Sequence, residues 1–241
     1  RRYMNHDQIR HLRSLRLLLS QNKSPLGFLF AAGCPLSIRE AGGPLLPDMA
    51  GLTKIIQDLH ATDAATTPYK RLIAELGKAG KDILNLEDVL TYIRSMKEVS
   101  TGGGTVRGFT EDELKVLETE ICSTIAHAVS KDLPDGDNSY RRFARWVSSI
   151  DRLAPIEIFT TNYDLLLEQA LEEQCVPFFD GFTGSRFPFF DIHSVEENEL
   201  PTYWARLWKL HGSENWKSMP RGICRASKGT HGSQELTYPA K

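Results

Sequence analysis

The sequence lacks several features that would place it in a common functional class. Its 29 Lys and Arg face 31 Asp and Glu, so it has no basic excess of the kind that nucleic-acid-binding surfaces show. No apolar run approaches the roughly 20 residues that a membrane-spanning helix needs. The four cysteines form no CxxC pair that could begin a zinc site. These absences argue against a nucleic-acid-binding, membrane-spanning or zinc-binding protein.

The composition that remains is that of an ordinary globular protein. With 41% hydrophobic and 25% charged residues, the 241-residue chain can bury a sizeable core. The arginine-rich start lacks a signal-peptide core, and the isolated cysteines are typical of reduced thiols. The sequence therefore predicts a cytoplasmic protein. Because neither Arg1-Arg2-Tyr3-Met4 nor Lys241 belongs to an obvious terminal element, we expect a part of a longer polypeptide.

An amphipathic helix is predicted within residues 1–25. Apolar residues recur at helical spacing with arginines between them: Ile9, Leu12, Leu15 and Leu19, with Arg10, Arg13 and Arg16. Two interpretations remain open. Either the leucines pack against the rest of the protein below a solvated basic face, or the helix contacts another subunit or a nucleic acid.

A strand, a glycine-containing loop and a helix follow. The apolar run 27–33 predicts a buried strand that enters a tight turn, and Asp48 can cap a helix predicted over 48–60. This order is the opening of a nucleotide-binding unit. The segment 31–34 can equally be no more than the turn after a strand.

The rest of the chain predicts more strands on the far side of a helical region. Helices are predicted over 68–76, 85–99, 110–129, 139–153 and 163–173. Strands are predicted over 155–160, 176–179 and 206–210. We therefore expect an α/β protein in which 26–60 and 151–241 form a Rossmann-like parallel sheet flanked by helices, with a helical insertion at 61–150.

Two polar clusters follow apolar runs, at Thr160-Thr161-Asn162-Tyr163-Asp164 and Leu210-His211-Gly212-Ser213. Because the carboxyl ends of parallel strands share one crevice, Asn162 and His211 could face a single ligand. Structural explanations remain open for both clusters. A threonine can cap the next helix while Asp164 supports the helix dipole, and His211 can be a core histidine before a turn.

The ordered set of a glycine turn, TTNYD and LHGS resembles the sirtuin superfamily. It is most similar to the sirtuin-like NAD-hydrolysing domains of bacterial antiviral defence systems. The resemblance covers about 26–60 and 155–241, and its blocks are Ile158–Leu165, Asp180–Gly184, Leu207–Trp216 and Tyr238–Lys241. It implies a sirtuin-type parallel sheet with NAD+ as substrate and no metal.

The resemblance also implies a role for each residue of the polar clusters. Asn162 would be the catalytic asparagine, which orients the NAD ribose and the attacking water, and His211 would be the general base. An amide can donate and accept hydrogen bonds without titrating, whereas a neutral imidazole takes a proton near neutral pH. The implied NAD contacts are the loop residues Ala31, Ala32, Gly33 and Cys34, whose N–H groups would cradle the phosphates, and Asp48, Thr160, Thr161, Asp164, Gly212 and Ser213.

The sequence departs from the family pattern in its first loop and after its last motif. Ala31 takes the first glycine position and Pro35 the serine position. If residue 31 needs a positive φ, alanine costs about 1 kcal/mol there. The family binds the adenosine half of NAD through a later strand and glycine loop, and nothing after Ser213 supplies them. We therefore expect the NAD-binding core to be incomplete at its C-terminal end.

The function implied by the resemblance is that of an NAD+ glycohydrolase that depletes NAD+ in phage-infected cells, as in abortive infection. Deacylating sirtuins carry a zinc module with two cysteine pairs, which this chain lacks, so deacylation is the weaker reading. The implied partners are further copies of the chain and a sensor or activator such as an ATPase or a short Argonaute, with no direct contact to nucleic acid or membrane. Two alternatives remain, a non-catalytic nucleotide-binding or sensing module and a structural subunit of a defence complex.

Overall fold

The structure, a computed structural model, describes residues 7–60, 67–83, 85–197 and 199–226. Its α-helices are α1 (Gln8–Ser20), α2 (Met49–Leu59), α3 (Pro68–Lys78), α4 (Leu86–Ser100), α5 (Glu111–Val129), α6 (Ser139–Ser149), α7 (Leu166–Glu173) and α8 (Ile192–Glu197). Its strands are β1 (Leu26–Phe30), β2 (Arg39–Glu40), β3 (Gly43–Pro44), β4 (Thr105–Val106), β5 (Phe109–Thr110), β6 (Ile156–Thr160), β7 (Phe178–Phe179), β8 (Phe182–Thr183), β9 (Phe189–Phe190), β10 (Ala205–Lys209), β11 (Trp216–Met219) and β12 (Gly222–Arg225). A short 3₁₀ helix spans Pro35–Ser37.

The central sheet has four parallel strands in the order β1-β6-β10-β7. Thr160 at the end of β6 lies opposite both Phe30 of β1 and Lys209 of β10. The three strands therefore end at one level, and the segments that follow them leave from the same edge. This arrangement confirms the predicted α/β fold, a Rossmann-like parallel sheet flanked by helices.

Helices α6 and α7 cover one face of this sheet. Phe28 of β1 makes edge-to-face contacts with Phe143 and Trp146 of α6, at centroid distances of 5.0 and 5.4 Å. Ile158 and Leu207, in the two central strands, are fully buried in the same cluster. Burial of such side chains contributes roughly 1.5–3 kcal/mol each, so this face holds the sheet and the two helices together.

A second hydrophobic cluster joins α2, α3, α4 and α5, and Tyr163 from the loop after β6 packs into it. Local signals fix the ends of these helices. Thr110 and Glu113 form a reciprocal capping box at the start of α5, and Asn85 caps α4.

Two helices pack across the predicted boundary between the sheet unit and the helical insertion. Helix α6, from the predicted insertion, packs on the sheet, and α2, from the predicted sheet unit, packs in the helical cluster.

A small antiparallel sheet with the strand order β11-β12-β9-β8 is not among the predicted elements. Its strands have two to four residues, too few for an alternating pattern to stand out. Phe182 and Phe190 meet Trp216 in an aromatic cluster between these strands. The turn before β8 requires glycine, because Gly181 has φ +91° and a Cβ there would lie 2.5 Å from the Phe190 ring.

Several predicted element ends shift by a few residues. The helix predicted to begin at 163 begins at Leu166, and the helix predicted to run to 153 ends at Ser149. The predicted strand 27–33 is β1, which ends at Phe30. The block Tyr238–Lys241 lies outside the described residues. Among the described residues, no helix has the length and apolar character that crossing a bilayer requires.

Helix α1 forms as predicted, but its apolar side is exposed. Asp7 caps the helix through the N–H groups of Ile9 and Arg10. The side chains of Ile9, Leu12 and Leu15 are 63%, 66% and 51% exposed. Leu19 is half-buried, and no residue of α1 is buried. The interpretation in which the leucines pack against the rest of the protein is therefore wrong for the described part of the chain, and the interpretation in which the helix contacts another subunit or a nucleic acid stays a prediction.

Truncation of Leu207 in β10 tests the core of the sheet. We expect Leu207→Ala to lower the free energy of unfolding by about 2–5 kcal/mol, because its fully buried side chain would leave a cavity. The matched control Leu29→Ala removes the same atoms from a side chain of β1 that is 67% exposed, and should change stability by no more than about 0.5 kcal/mol. Urea unfolding of both variants measures the difference. Equal losses would contradict the described packing.

Candidate functional site

The segments that follow β1, β6 and β10 adjoin one another at the carboxyl edge of the sheet. The Thr161 N–H donates to the Phe30 carbonyl at 3.2 Å, and the Leu210 N–H donates to the Thr160 carbonyl at 2.8 Å. The backbone hydrogen bonds between β1 and β6, and between β6 and β10, thus continue one residue beyond the ends of these strands. The glycine loop and both polar clusters therefore begin side by side, although up to 180 residues of sequence separate them.

Asn162 connects the segment after β6 to the loop after β1. Its side-chain Nδ2 donates to the Ala31 carbonyl at 3.3 Å, and its backbone N–H donates to the Thr160 hydroxyl at 3.0 Å. The residue is 9% exposed, so its amide lies at the rim of the protein interior with little freedom to rotate. The structure thus brings together the predicted catalytic asparagine and the first residue of the predicted phosphate loop.

The loop 31–34 is a tight turn without backbone strain at Ala31. The Cys34 N–H donates to the Ala31 carbonyl at 2.8 Å, which engages one of the four N–H groups expected to face a phosphate. Arg107 and Cys175 are the non-glycine residues with positive φ in the described ranges, so alanine at position 31 carries no conformational cost. A Cβ on Gly33 would meet no atom within 4 Å, so open space adjoins the loop there.

A small cavity opens beside Asn162. Its volume is about 40 Å³, and its walls come from the first loop, the segment before α2, the start of α2, the end of α5 and the segment after β6: Ala32, Pro35, Leu46, Pro47, Met49, Leu52, Val129, Thr161, Asn162, Tyr163 and Asp164. A cavity of this size can hold a water molecule. Asp48 lies between two wall residues, but its carboxylate accepts the Gly51 N–H at 2.8 Å and caps α2.

Lys209 is a buried cation that ties the segment after β6 to β10. Its side chain is 1% exposed, and its ammonium forms an ion pair with Glu168 of α7 at 2.9 Å. It also donates to the Asp164 carbonyl and, at 3.5 Å, to the Tyr163 carbonyl. One ammonium therefore fixes the backbone next to Asn162 relative to the strand that leads to His211.

Burial raises the pKa of Asp164 to about 6. The nearby Lys209 ammonium opposes this shift, whereas the Glu168 carboxylate adds to it. The Asp164 Oδ1 accepts the N–H of Leu166, the first residue of α7, at 3.1 Å, from the position before the N-cap residue Leu165. Its side chain therefore has a structural partner in addition to its place in the cavity wall.

The cluster after β10 divides into an accessible part and a buried part. His211 is half-buried, and its Nδ1 lies 3.0 Å from the Glu87 Oε1 at the start of α4. Ser213 is fully buried, and its hydroxyl donates to the Tyr163 carbonyl at 3.4 Å. In this conformation Ser213 braces the backbone of the Asn162 segment and has no exposed surface for a ligand. Gly212 permits the sharp turn between the two residues with φ +90°.

Two residues of the site were not singled out by the sequence analysis. Lys209 does carry a signal, because a lysine inside an apolar strand requires a buried partner. Glu87 carries none, since only the packing of α4 brings it to the segment after β10. In the described part of the chain, no group of three or more His, Cys, Asp or Glu side chains is arranged to hold a metal ion.

A family model described as a SIR2-like domain matches residues 156–227. The match runs from β6 through β12, so it contains Asn162 and His211 but not the loop 31–34. It supports a sirtuin-like fold, and because SIR2-like domains use NAD+, it indicates an NAD-related activity. A comparison with curated protein sequences finds no match.

Removal of the Lys209 ammonium tests its structural role. We expect Lys209→Met to lower the free energy of unfolding by about 3–5 kcal/mol, because Glu168 and two carbonyl groups lose their buried partner. Lys54→Met is the control, since Lys54 pairs with Asp58 at 3.5 Å but is 76% exposed, and should cost no more than about 1 kcal/mol. Urea unfolding compares the two, and losses of similar size would contradict the buried network.

The raised pKa of Asp164 predicts a pH-dependent stability. An unfolded aspartate titrates near pH 4, so between about pH 4 and pH 6 the folded protein holds a proton that the unfolded chain releases, and stability falls as the pH rises. Asp164→Asn removes this loss but can keep the hydrogen bond from the Leu166 N–H. The stability of the variant relative to wild type should therefore rise by about 2 kcal/mol from pH 4 to pH 7. A constant difference in urea unfolding across this range would show that Asp164 titrates normally.

Proposed function

We propose that the chain is an NAD+ glycohydrolase that cleaves NAD+ to nicotinamide and ADP-ribose at the carboxyl edge of β1, β6 and β10. The observation that carries the proposal is the side-chain amide of Asn162, held by the Ala31 carbonyl beside a cavity. His211 leaves the neighbouring strand at the same edge. The SIR2-like match, which contains both residues, supports the choice of NAD+ as the substrate.

The reaction needs a polar group that stabilises the sugar and a base that activates water. The bond between ribose C1′ and the nicotinamide nitrogen breaks, and its electron pair leaves with nicotinamide. The Asn162 amide acts on the hydroxyl groups of the ribose, where it stabilises the oxocarbenium character of the sugar, and it orients the water. His211 accepts the proton that the water releases when it bonds to C1′. The products are nicotinamide, ADP-ribose and one proton.

NAD+ binding requires the site to open. A cavity of about 40 Å³ holds one or two water molecules but not a nicotinamide ring. Its wall includes Pro35 after the first loop and Pro47 and Met49 at the start of α2. We propose that this part of the wall moves outward when NAD+ binds, and that the open space beside Gly33 receives the pyrophosphate.

Hydrolysis of free NAD+, rather than protein deacylation, fits the resemblance to sirtuin-like domains of antiviral defence systems. In that setting the reaction would deplete NAD+ in phage-infected cells. The proposed partners are further copies of this chain and a sensor or activator such as an ATPase or a short Argonaute. The exposed leucines of α1 support an assembly of this kind.

A second candidate is a nucleotide-binding or sensing module without catalysis. The small cavity and the engaged Cys34 N–H favour it, since both limit access to the site in this conformation. The two functions differ in one observable, because a sensor binds NAD+ without releasing nicotinamide.

Substitution of the two proposed catalytic residues tests the hydrolase. We expect Asn162→Ala and His211→Ala each to lower nicotinamide release by roughly a hundredfold to ten-thousandfold, since a positioned general base has this effect and the amide stabilises the same transition state. His193→Ala is the matched control, because His193 is exposed on α8. Chromatography of nicotinamide formed by the full chain, with and without candidate partners, measures the rates.

Circular dichroism should show that all three variants remain folded. A folded Asn162→Ala variant with the wild-type rate would contradict the site. Wild-type protein that binds NAD+ in calorimetry but releases no nicotinamide under any of these conditions would favour the sensing module instead.

A further inference from the structure

A contact between His211 and Glu87 links the segment after β10 to α4. The His211 Nδ1 lies 3.0 Å from the Glu87 Oε1, a hydrogen-bond distance. His211 follows β10 of the sheet, whereas Glu87 belongs to α4 in the helical cluster. The contact therefore joins the proposed general base to an element that none of the sequence motifs includes.

The backbone fixes the position of Glu87. It is the second residue of α4, whose first turn is capped by Asn85 through the Glu87 N–H at 3.0 Å. The neighbouring side chains Leu86 and Val89 are 3% and 1% exposed, so the start of the helix is anchored in the helical cluster. The carboxylate thus extends from a rigid helix terminus rather than from a loop.

The backbone of His211 is fixed from the other side. Lys209, two residues earlier, is held in the buried network with Glu168. The Gly212 N–H donates to the Lys209 carbonyl at 3.3 Å and closes the turn around the histidine. The imidazole and the carboxylate therefore meet from two separately anchored elements.

We propose that Glu87 is the positioning residue that holds His211 in the tautomer competent for general-base catalysis, an inference that rests on the proposed hydrolase function. A carboxylate only accepts hydrogen bonds, so a hydrogen bond at this 3.0 Å contact requires the neutral imidazole to carry its proton on Nδ1. With the proton on Nδ1, the lone pair lies on Nε2, the nitrogen that would take the proton from water. When His211 becomes protonated, the same carboxylate stabilises the imidazolium.

The exposure of the pair distinguishes this role from a contribution to stability. The side chains of His211 and Glu87 are 36% and 41% exposed, and ion pairs as accessible as this stabilise folded proteins little. Loss of Glu87 should therefore leave thermal unfolding nearly unchanged while it slows the reaction. This role of Glu87 would also mean that a residue of the helical cluster completes the active site at the edge of the sheet.

The kinetic test compares Glu87→Ala and Glu87→Gln with Asp88→Asn. Asp88 lies beside Glu87 in the first turn of α4, so the control removes a carboxylate with a similar relation to the helix dipole. We expect both Glu87 variants to lower kcat by roughly 10- to 100-fold with little change in KM for NAD+. Asp88→Asn should retain the wild-type kcat. Wild-type kcat in both Glu87 variants, or an equal loss in the Asp88 control, would overturn the proposal.

A second measurement does not depend on turnover. In ¹⁵N NMR spectra at a pH where the imidazole is neutral, a protonated ring nitrogen and an unprotonated one resonate at distinct shifts, and His211→Gln assigns the signals among the seven histidines. Wild type should show His211 protonated on Nδ1, and Glu87→Ala should shift the population towards Nε2. If wild type hydrolyses no NAD+, this result still decides the role of Glu87. Protonation mainly on Nε2 in wild type would overturn it.

Discussion

One buried ammonium group organises the candidate site. Lys209 is almost inaccessible to solvent, and it binds Glu168 together with the carbonyl groups of Tyr163 and Asp164. Burying a cation is costly unless partners surround it, so the chain can place Lys209 there only if α7 and the segment after β6 are in position. The same contacts that satisfy this charge therefore tie the segment after β6, which holds Asn162, to the strand that leads to His211.

Around this cation, the site draws on both hydrophobic clusters. The parallel sheet brings Ala31, Asn162 and His211 to one edge, because β1, β6 and β10 end in register. The helical cluster receives Tyr163, which comes from the loop after β6, and contributes Glu87 from the start of α4. The proposed chemistry needs an amide that stabilises a sugar and an imidazole that takes a proton. The segments after β6 and β10 supply these two groups, and Glu87 of the helical cluster contacts the imidazole.

The sequence predicted the parts whose signals are local. The apolar runs of β1, β6 and β10 and the helix cap Asp48 lie in short windows, and the sheet edge follows from the rule that parallel strands share a crevice. The strands β8 and β9 are too short for periodicity to reveal. The pairing of Glu87 with His211 depends on how α4 packs, and an apolar helix face does not specify what it packs against.

The proposed function requires that the carboxyl edge of β1, β6 and β10 bind the nicotinamide ribose of NAD+. A crystal structure of the His211→Ala variant with NAD+ tests this requirement most directly, because loss of the base should leave the substrate intact. We expect the ribose within hydrogen-bond distance of the Asn162 amide, with the pyrophosphate beside Gly33. NAD+ bound instead in the larger cavity of about 590 Å³ between α7 and β12, away from Asn162, would contradict it.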